Sequence, residues 1–171
     1  MRIIIFGRPG SGKSTFAFAL SKMLNLPLYH LDKYFFVANW VERDYGEFLD
    51  IQQKIVDQDA WIIDGCSLRS LEMRYARADV CLFFLYPRVR CIFRLFKRMF
   101  DKNPAIQDRP EGCSESISWK LIKYAWTFEY RHNNRLPKQL EYLRKEYPHI
   151  IFYTIKNDCD LERVRSKICG K

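Results

Sequence analysis

Short apolar runs alternate along the chain with longer segments that have helical periodicity. Most of the short runs lack an alternating polar pattern and are bounded by Gly, Asp or Pro, which is typical of buried parallel strands. They cover residues 2–6, 27–31, 61–64, 80–86 and 150–155. Between them, apolar side chains recur every three or four positions, as on one face of an amphipathic helix. This order of elements predicts an α/β fold with a parallel sheet and right-handed crossovers.

The helix predicted after the fourth strand has two contrasting faces. Its apolar residues follow the i, i+3, i+4, i+7 spacing, so we expect this stripe to pack against the core. The stripe comprises Val89, Ile92, Phe93, Phe96, Met99 and Phe100. The opposite face is basic and carries Arg90, Arg94, Lys97 and Arg98.

The region after this helix interrupts two strongly helical segments. Residues 102–115 include Pro104, Pro110 and Gly112, which predicts a short lid or a mobile loop. The segment at about 33–60, which follows the second strand, is the predicted acceptor region. The chain has 171 residues, so we expect a single domain over residues 1–171.

Charge and composition narrow the class of protein. The net charge of +9 indicates an anionic partner, such as nucleotide phosphates, nucleic acid or a membrane surface. The longest apolar run, 80–86, is far too short to span a membrane, and the four apolar residues before Gly7 are too few for a secretory signal. The six cysteines contain no C-x-x-C pair, which favours scattered reduced thiols over a zinc ribbon. We therefore expect a cytoplasmic protein with no membrane partner.

The strongest motif is a phosphate loop at residues 7–14, GRPGSGKS, which matches G-x-x-x-x-G-K-[ST] between a predicted strand and a predicted helix. Its glycines let backbone N–H groups turn toward phosphate oxygens, and the helix N-terminus adds positive character. Lys13 is expected to reach the β- and γ-phosphates and Ser14 to ligate Mg²⁺. A strand-to-helix turn without a ligand is the alternative, but the context favours ATP and Mg²⁺ as cofactors. The predicted nucleotide-binding residues are Gly7, Pro9, Gly10, Ser11, Gly12, Lys13, Ser14, Thr15 and Arg94.

Aspartates follow two of the predicted strands, at Asp32 and Asp64. Ligands of open α/β sheets bind beyond the carboxyl ends of strands, so both aspartates should meet the phosphate loop in one crevice. Asp64 suits a carboxylate that holds Mg²⁺ together with Ser14, although Asp-Gly is also a common turn. Asp32 could be a general base for an acceptor hydroxyl, a second Mg²⁺ contact, or only a helix cap or solvated acid. For His30 we expect a packed or exposed side chain rather than a functional one.

The basic face defined above is extended by Lys102 and Arg109 into the predicted lid. Together these residues could clamp the transferring phosphoryl group, or they could form an ordinary solvated face. A second basic group, Arg69, Arg74 and Arg77, follows Asp64 and could meet an anionic group of the acceptor, although Arg74 and Arg77 could equally lie on the surface with Glu72. The predicted catalytic residues are Lys13, Asp32, Arg94, Arg98 and Arg109.

The segments GRPGSGKST, YHLDKYFF, WIIDGCSLR and RLFKRMF together resemble the P-loop small-molecule kinases of the adenylate kinase class. The likeness is strongest to bacterial adenylate-kinase-like proteins labelled DNA topology modulation protein, and it covers about residues 1–129. It implies a three-layer α/β/α P-loop NTPase fold with a five-stranded parallel sheet, helices on both faces and a short lid. Arg94 and Arg98 resemble the nucleotide-contacting pair of these kinases. The His30-Leu31-Asp32 strand end looks more like that of shikimate kinase or uridine-kinase-type enzymes, whose acceptors are hydroxyls.

These features predict an ATP- and Mg²⁺-dependent kinase for a small anionic or hydroxyl acceptor, with a nucleotide or nucleoside as the expected acceptor. The alternative is a nucleotide-dependent DNA-binding, topology-modulating regulatory protein without small-molecule kinase activity. The net charge favours this alternative, but the sequence contains no helix-turn-helix, zinc finger or RNP motif.

Overall fold

A parallel sheet forms the centre of the fold. The computed structural model describes residues 1–100, 119–132 and 135–170, apart from the side chains of Met99, Phe100 and Arg131. Its strands are β1 (Arg2–Gly7), β2 (Leu28–His30), β3 (Phe36–Val37), β4 (Val41–Glu42), β5 (Trp61–Asp64), β6 (Val80–Phe84) and β7 (Ile151–Ile155). Within the described residues, five of them form the main sheet in the order β2-β5-β1-β6-β7, with parallel pairing throughout. β3 and β4 form a small antiparallel hairpin.

Helices cover both faces of this sheet, which confirms the predicted α/β/α layers. They are α1 (Lys13–Leu24), α2 (Leu31–Phe35), α3 (Tyr45–Val56), α4 (Leu71–Tyr75), α5 (Arg88–Phe100), α6 (Trp119–His132), α7 (Leu136–Glu146) and α8 (Asp158–Cys169). Side chains alternate along β1, so Ile4 and Phe6 pack with α3, α4, α6 and α7, whereas Ile3 and Ile5 pack with α1, α5 and α8. Both faces are apolar because both are covered by helices.

Helix α5 corrects one prediction about the core. Val89, Phe93 and Phe96 of the predicted core stripe are exposed, while Cys91 and Leu95 are buried. The Cys91 carbonyl lies under Gly10 of the phosphate loop so closely that a Cβ on Gly10 would come within 2.5 Å of its oxygen. The helix is therefore oriented by its contact with the phosphate loop, which leaves Val89, Phe93 and Phe96 exposed.

The second strand was predicted over residues 27–31 but is shorter in the structure, where β2 ends at His30. Asp32 lies in the first turn of α2, which begins directly after this strand. The predicted acceptor region contains α2, the β3–β4 hairpin and α3. The predicted lid at 102–115, including Arg109, lies outside the described residues, and the single-domain division stays a prediction. In the described segments, the cysteines are free thiols and no helix is long and apolar enough to cross a membrane.

Candidate functional site

The phosphate loop connects β1 to α1, and its glycines make contacts that a side chain would block. Gly7 has a φ of +134°, and a Cβ there would come within 2.1 Å of the Phe84 carbonyl oxygen on the neighbouring strand. Gly10 has a φ of +76° and packs on Cys91, as described above. These positions need glycine because L side chains rarely adopt such backbone angles and no space exists for a Cβ. The sequence motif therefore corresponds to a tightly packed loop.

The polar groups of the loop converge on one carbonyl. Lys13 Nζ donates a hydrogen bond to the Arg8 carbonyl at 2.8 Å, and Ser11 Oγ donates to the same oxygen at 2.7 Å. These bonds hold the Lys13 ammonium within the loop, next to Ser14 at the start of α1. The arrangement places a cation and a hydroxyl where the motif predicts phosphate and Mg²⁺ contacts.

Arg8 holds the phosphate loop in place through buried contacts of its side chain, a role that was not predicted from the sequence. Its guanidinium is buried and donates to the Tyr86 carbonyl at 2.6 Å. It also forms an ion pair with Glu129 of α6, with 2.8 Å between Nη2 and Oε1. The side chain thereby links the phosphate loop to the end of β6 and to α6. Arg8 occupies a variable position of the phosphate-loop motif, so the motif does not predict a structural role for it.

Asp64 and His30 lie side by side at the carboxyl ends of β5 and β2. The two strands pair in register with His30 opposite Asp64, and His30 Nδ1 lies 3.0 Å from Asp64 Oδ2. Both residues are buried. Asp64 Oδ1 is also buried, and it makes no hydrogen bond with any described residue. An unpaired buried carboxylate oxygen calls for a ligand, and a hydrated Mg²⁺ held with the Ser14 hydroxyl fits this donor set. The sequence analysis expected His30 to be either packed or exposed; the structure buries it, and its contact with Asp64 was missed.

Arg94 links the phosphate loop to Asp158, the first residue of α8. Its Nη1 donates to the Ser11 carbonyl at 2.8 Å, and its Nη2 lies 3.3 Å from Asp158 Oδ1. Tyr86 donates to the same carboxylate at 2.9 Å, and Arg90 also pairs with it. The Tyr86 hydrogen bond and the two guanidinium groups lower the pKa of Asp158, so this carboxylate remains ionised at neutral pH.

One cavity of about 900 Å³ brings most of the predicted site residues together. Those that line it are Gly7, Pro9, Gly10, Lys13, Ser14, Asp32, Asp64 and Arg98. Ser11 is buried inside the loop, Gly12 precedes α1 as its N-cap, and Thr15 is exposed. Arg94 contacts the loop through Ser11, as given above.

The part of the cavity lining that lies outside the phosphate loop, here called the cavity wall, combines aromatic rings with cations. Arg69 stacks on the Tyr45 ring, with Cζ 4.0 Å from the ring centroid. The other aromatic and cationic residues of this wall are Phe35, Phe36, Trp40, Phe48, Arg98, Lys120, Tyr124, His132 and Arg135. Such a wall suits a small compound that has an apolar body and a negative charge.

Arg74 does not face the cavity, contrary to the role suggested for it from the sequence. It is fully buried, and its Nη1 donates to Gln52 Oε1 at 2.8 Å and to Ser70 Oγ at 3.0 Å. Its Nη2 donates to the Ser67 carbonyl at 3.0 Å. Burial lowers the pKa of Arg74 to about 10. This network fixes the segment between β5 and α4, which carries Arg69.

Replacing Arg74 with alanine should lower the free energy of unfolding by about 3 kcal/mol, because Gln52 Oε1 and the Ser67 carbonyl would lose a buried charged donor. Urea unfolding followed by circular dichroism measures this change. The control is Arg77→Ala, since Arg77 is exposed two residues after α4. Equal stability of the two variants would contradict the structural role of Arg74.

Comparison with known proteins adds a fold assignment. Along the sequence, the chain is 40% identical over 72 residues to shikimate kinase of Chlamydia pneumoniae. This match covers 42% of the chain and 39% of that protein, well under half of its length. No protein-family model matches the chain.

Among solved structures, shikimate kinase of Bacteroides thetaiotaomicron superposes with a TM-score of 0.52 at 15% identity, covering 100% of this chain and 99% of that one. The fold is shikimate kinase-like. Shikimate kinase of Aquifex aeolicus has a TM-score of 0.49 at 18% identity, with 100% of both chains covered. Shikimate kinase-like kinases use ATP and Mg²⁺, and the cofactors predicted from the phosphate loop agree with this. The shikimate kinase-like fold also accounts for the P-loop kinase resemblance.

Proposed function

We propose that the protein transfers the γ-phosphoryl group of ATP to a hydroxyl group of a small anionic acceptor. The observation that carries the proposal is the shared cavity, whose lining contains the phosphate loop, Asp64 and Asp32 together with the cationic, aromatic wall. Phosphoryl transfer depends mainly on positioning and on electrostatic stabilisation, and this cavity supplies both.

Each polar group has a role in this reaction. Asp32 takes the proton of the acceptor hydroxyl, whose oxygen attacks the γ-phosphorus while the bond to the β-phosphate oxygen breaks and ADP leaves. Lys13, Arg94 and Arg98 neutralise the charge that develops on the phosphate oxygens. Ser14 and Asp64 would hold Mg²⁺, which supplies further neutralisation of the β- and γ-phosphates when it is bound. Arg69 and Arg135 would hold the anionic group of the acceptor.

The proposed acceptor differs from the nucleotide or nucleoside expected from the adenylate kinase resemblance. The relatives described above are named shikimate kinase, and none of them is named a nucleotide kinase. A hydroxy acid also suits the arginines of the cavity wall, since guanidinium groups pair well with carboxylates. Shikimate is therefore the first acceptor to test. The likeness to DNA topology modulation proteins stays a prediction.

The test is ADP formation from MgATP in the presence of single acceptors. The panel contains shikimate, other small hydroxy acids, nucleosides and nucleoside monophosphates. We expect a hydroxy acid to raise ADP formation well above the acceptor-free rate, with the phosphorylated acceptor identified by mass spectrometry. A nucleotide as the best acceptor would overturn the proposed substrate class. If no acceptor raises turnover, the kinase proposal fails, and DNA binding with a steep salt dependence becomes the alternative to measure.

Replacing Arg94 with alanine should lower kcat/KM for ATP by about 10- to 100-fold, the range that corresponds to losing a hydrogen bond to a charged group. The reason is that Arg94 both contacts the phosphate loop and provides a cation beside it. Steady-state kinetics with the best acceptor measures the change. The control is Arg163→Ala, because Arg163 is exposed on α8 and pairs with Asp160 of the same helix. Similar kinetics for both variants would contradict a role in nucleotide binding.

A further inference from the structure

The pairing of β2 with β5 places the His30 imidazole beside the carboxylate of Asp64, a residue that lines the same cavity as the phosphate loop. His30 and Asp64 are register partners at the last positions of the two strands. Their relative exposures are 8% and 4%, so the pair is shielded from solvent. His30 Nδ1 lies 3.0 Å from Asp64 Oδ2, and in the tautomer that carries its proton on Nδ1 the imidazole donates a hydrogen bond to this carboxylate oxygen.

The two oxygens of Asp64 have different surroundings. Oδ2 accepts from His30, whereas Oδ1 is buried and has no hydrogen-bond partner among the described residues. Asp64 lines the cavity together with Ser14, and His30 is not part of the described lining. A carboxylate held at one oxygen has less freedom to rotate, so the buried Oδ1, which has no partner among the described residues, keeps a defined position in a residue that lines the cavity.

We infer that His30 is a positioning residue that orients Asp64 for the metal ion of the nucleotide complex. The inference rests on the proposed function, because it requires the phosphate loop to bind a nucleotide with a divalent cation. His30 acts through Asp64 and contacts neither metal nor nucleotide. Partners behind a metal-holding carboxylate commonly change metal affinity by about 10- to 100-fold when they are removed. A packing role alone would change stability and leave metal affinity unaltered.

The test compares His30→Asn, His30→Gln and His30→Leu. Asparagine can place an amide donor near the position of Nδ1, glutamine moves the donor one methylene further out, and leucine removes it. The probe is Mn²⁺ titrated into the protein with saturating ADP, with free Mn²⁺ measured by electron paramagnetic resonance. ADP affinity without metal, measured by calorimetry in EDTA, reports on the phosphate loop separately. His149→Asn is the matched control, because His149 is exposed and contacts only the Tyr147 ring among its described contacts.

We expect Mn²⁺ to bind His30→Leu and His30→Gln at least about 10-fold more weakly than it binds the wild type. The Mn²⁺ affinities of His30→Asn and His149→Asn should be close to that of the wild type. The ADP affinity in EDTA should be unchanged in all variants. Equal Mn²⁺ affinity in all variants overturns the role of His30. If His30→Leu does not fold, the comparison of Mn²⁺ affinity between His30→Asn and His30→Gln tests the same role: weaker binding by the Gln variant supports it, and equal binding overturns it. Wild-type protein that binds ADP in EDTA but adds no Mn²⁺ overturns the inference while leaving nucleotide binding intact. Failure to bind ADP at all overturns the proposed function itself.

Discussion

Replacing Lys13 with alanine is expected to lower acceptor-dependent turnover of ATP by at least about 100-fold, as found when one preorganised charge-stabilising group is removed from an active site. The structure gives the physical reason. Lys13 Nζ is held 2.8 Å from the Arg8 carbonyl, inside a loop in which Gly7 and Gly10 leave no space for side chains. The ammonium is thus positioned before the nucleotide binds, and little reorganisation is needed when charge develops on the γ-phosphate.

The control for this prediction is Lys22→Ala. Lys22 lies on the same helix as Lys13 but is exposed near the opposite end, so its removal changes the net charge equally without touching the loop. Both variants are compared by the rate of ADP formation and by thermal unfolding, because Lys13 also contributes a hydrogen bond to the fold. Turnover near the wild-type value in folded Lys13→Ala would contradict the phosphate-loop assignment and the kinase proposal with it.

The sequence predicts best the strands of the central sheet, whose side chains are buried on both faces. Strands such as Ile3 to Phe6 are continuous apolar runs because helices cover both faces of the sheet, and this pattern is visible without a structure. Helix α5 shows the limit of such patterns. Its stripe of Val89, Phe93 and Phe96 is larger than the buried pair of Cys91 and Leu95, yet the close approach of Gly10 to Cys91 decides the orientation. Contacts between distant segments therefore overrode the local periodicity.

In the candidate site, too, the residues of a local sequence motif could be predicted, whereas contacts between distant segments could not. The phosphate loop could be found because its chemistry needs fixed residue types at fixed spacing. The contact between His30 and Asp64 could not, since it depends on the register of two strands that are 34 residues apart. The ion pair of Arg8 with Glu129 likewise joins residues far apart in the chain. Both the adjacency of β2 and β5 and their register would have been needed to place His30 beside Asp64.

Asp32 is the residue whose replacement should distinguish a phosphotransferase from a nucleotide-binding protein. It lies in the first turn of α2 and lines the cavity that also contains Lys13 and Asp64. The position of this turn is fixed by Leu31, whose Cβ lies so close to Gly65 that a Cβ there would come within 2.6 Å of it. Asp32, which is exposed, is therefore held at the cavity by a well-packed turn next to the end of β5.

Replacing Asp32 with asparagine should lower kcat by about 10²- to 10⁴-fold and leave the KM for ATP nearly unchanged, because the amide keeps the shape of the side chain but cannot accept the hydroxyl proton. Asp50→Asn is the control, since Asp50 is exposed on α3. Steady-state kinetics at several Mg²⁺ concentrations separates the roles considered for Asp32. A kcat restored by high Mg²⁺ would indicate a metal contact instead of a general base. An unchanged kcat would make Asp32 a solvated acid, and proton removal from the acceptor would then have to be assigned to another group of the cavity.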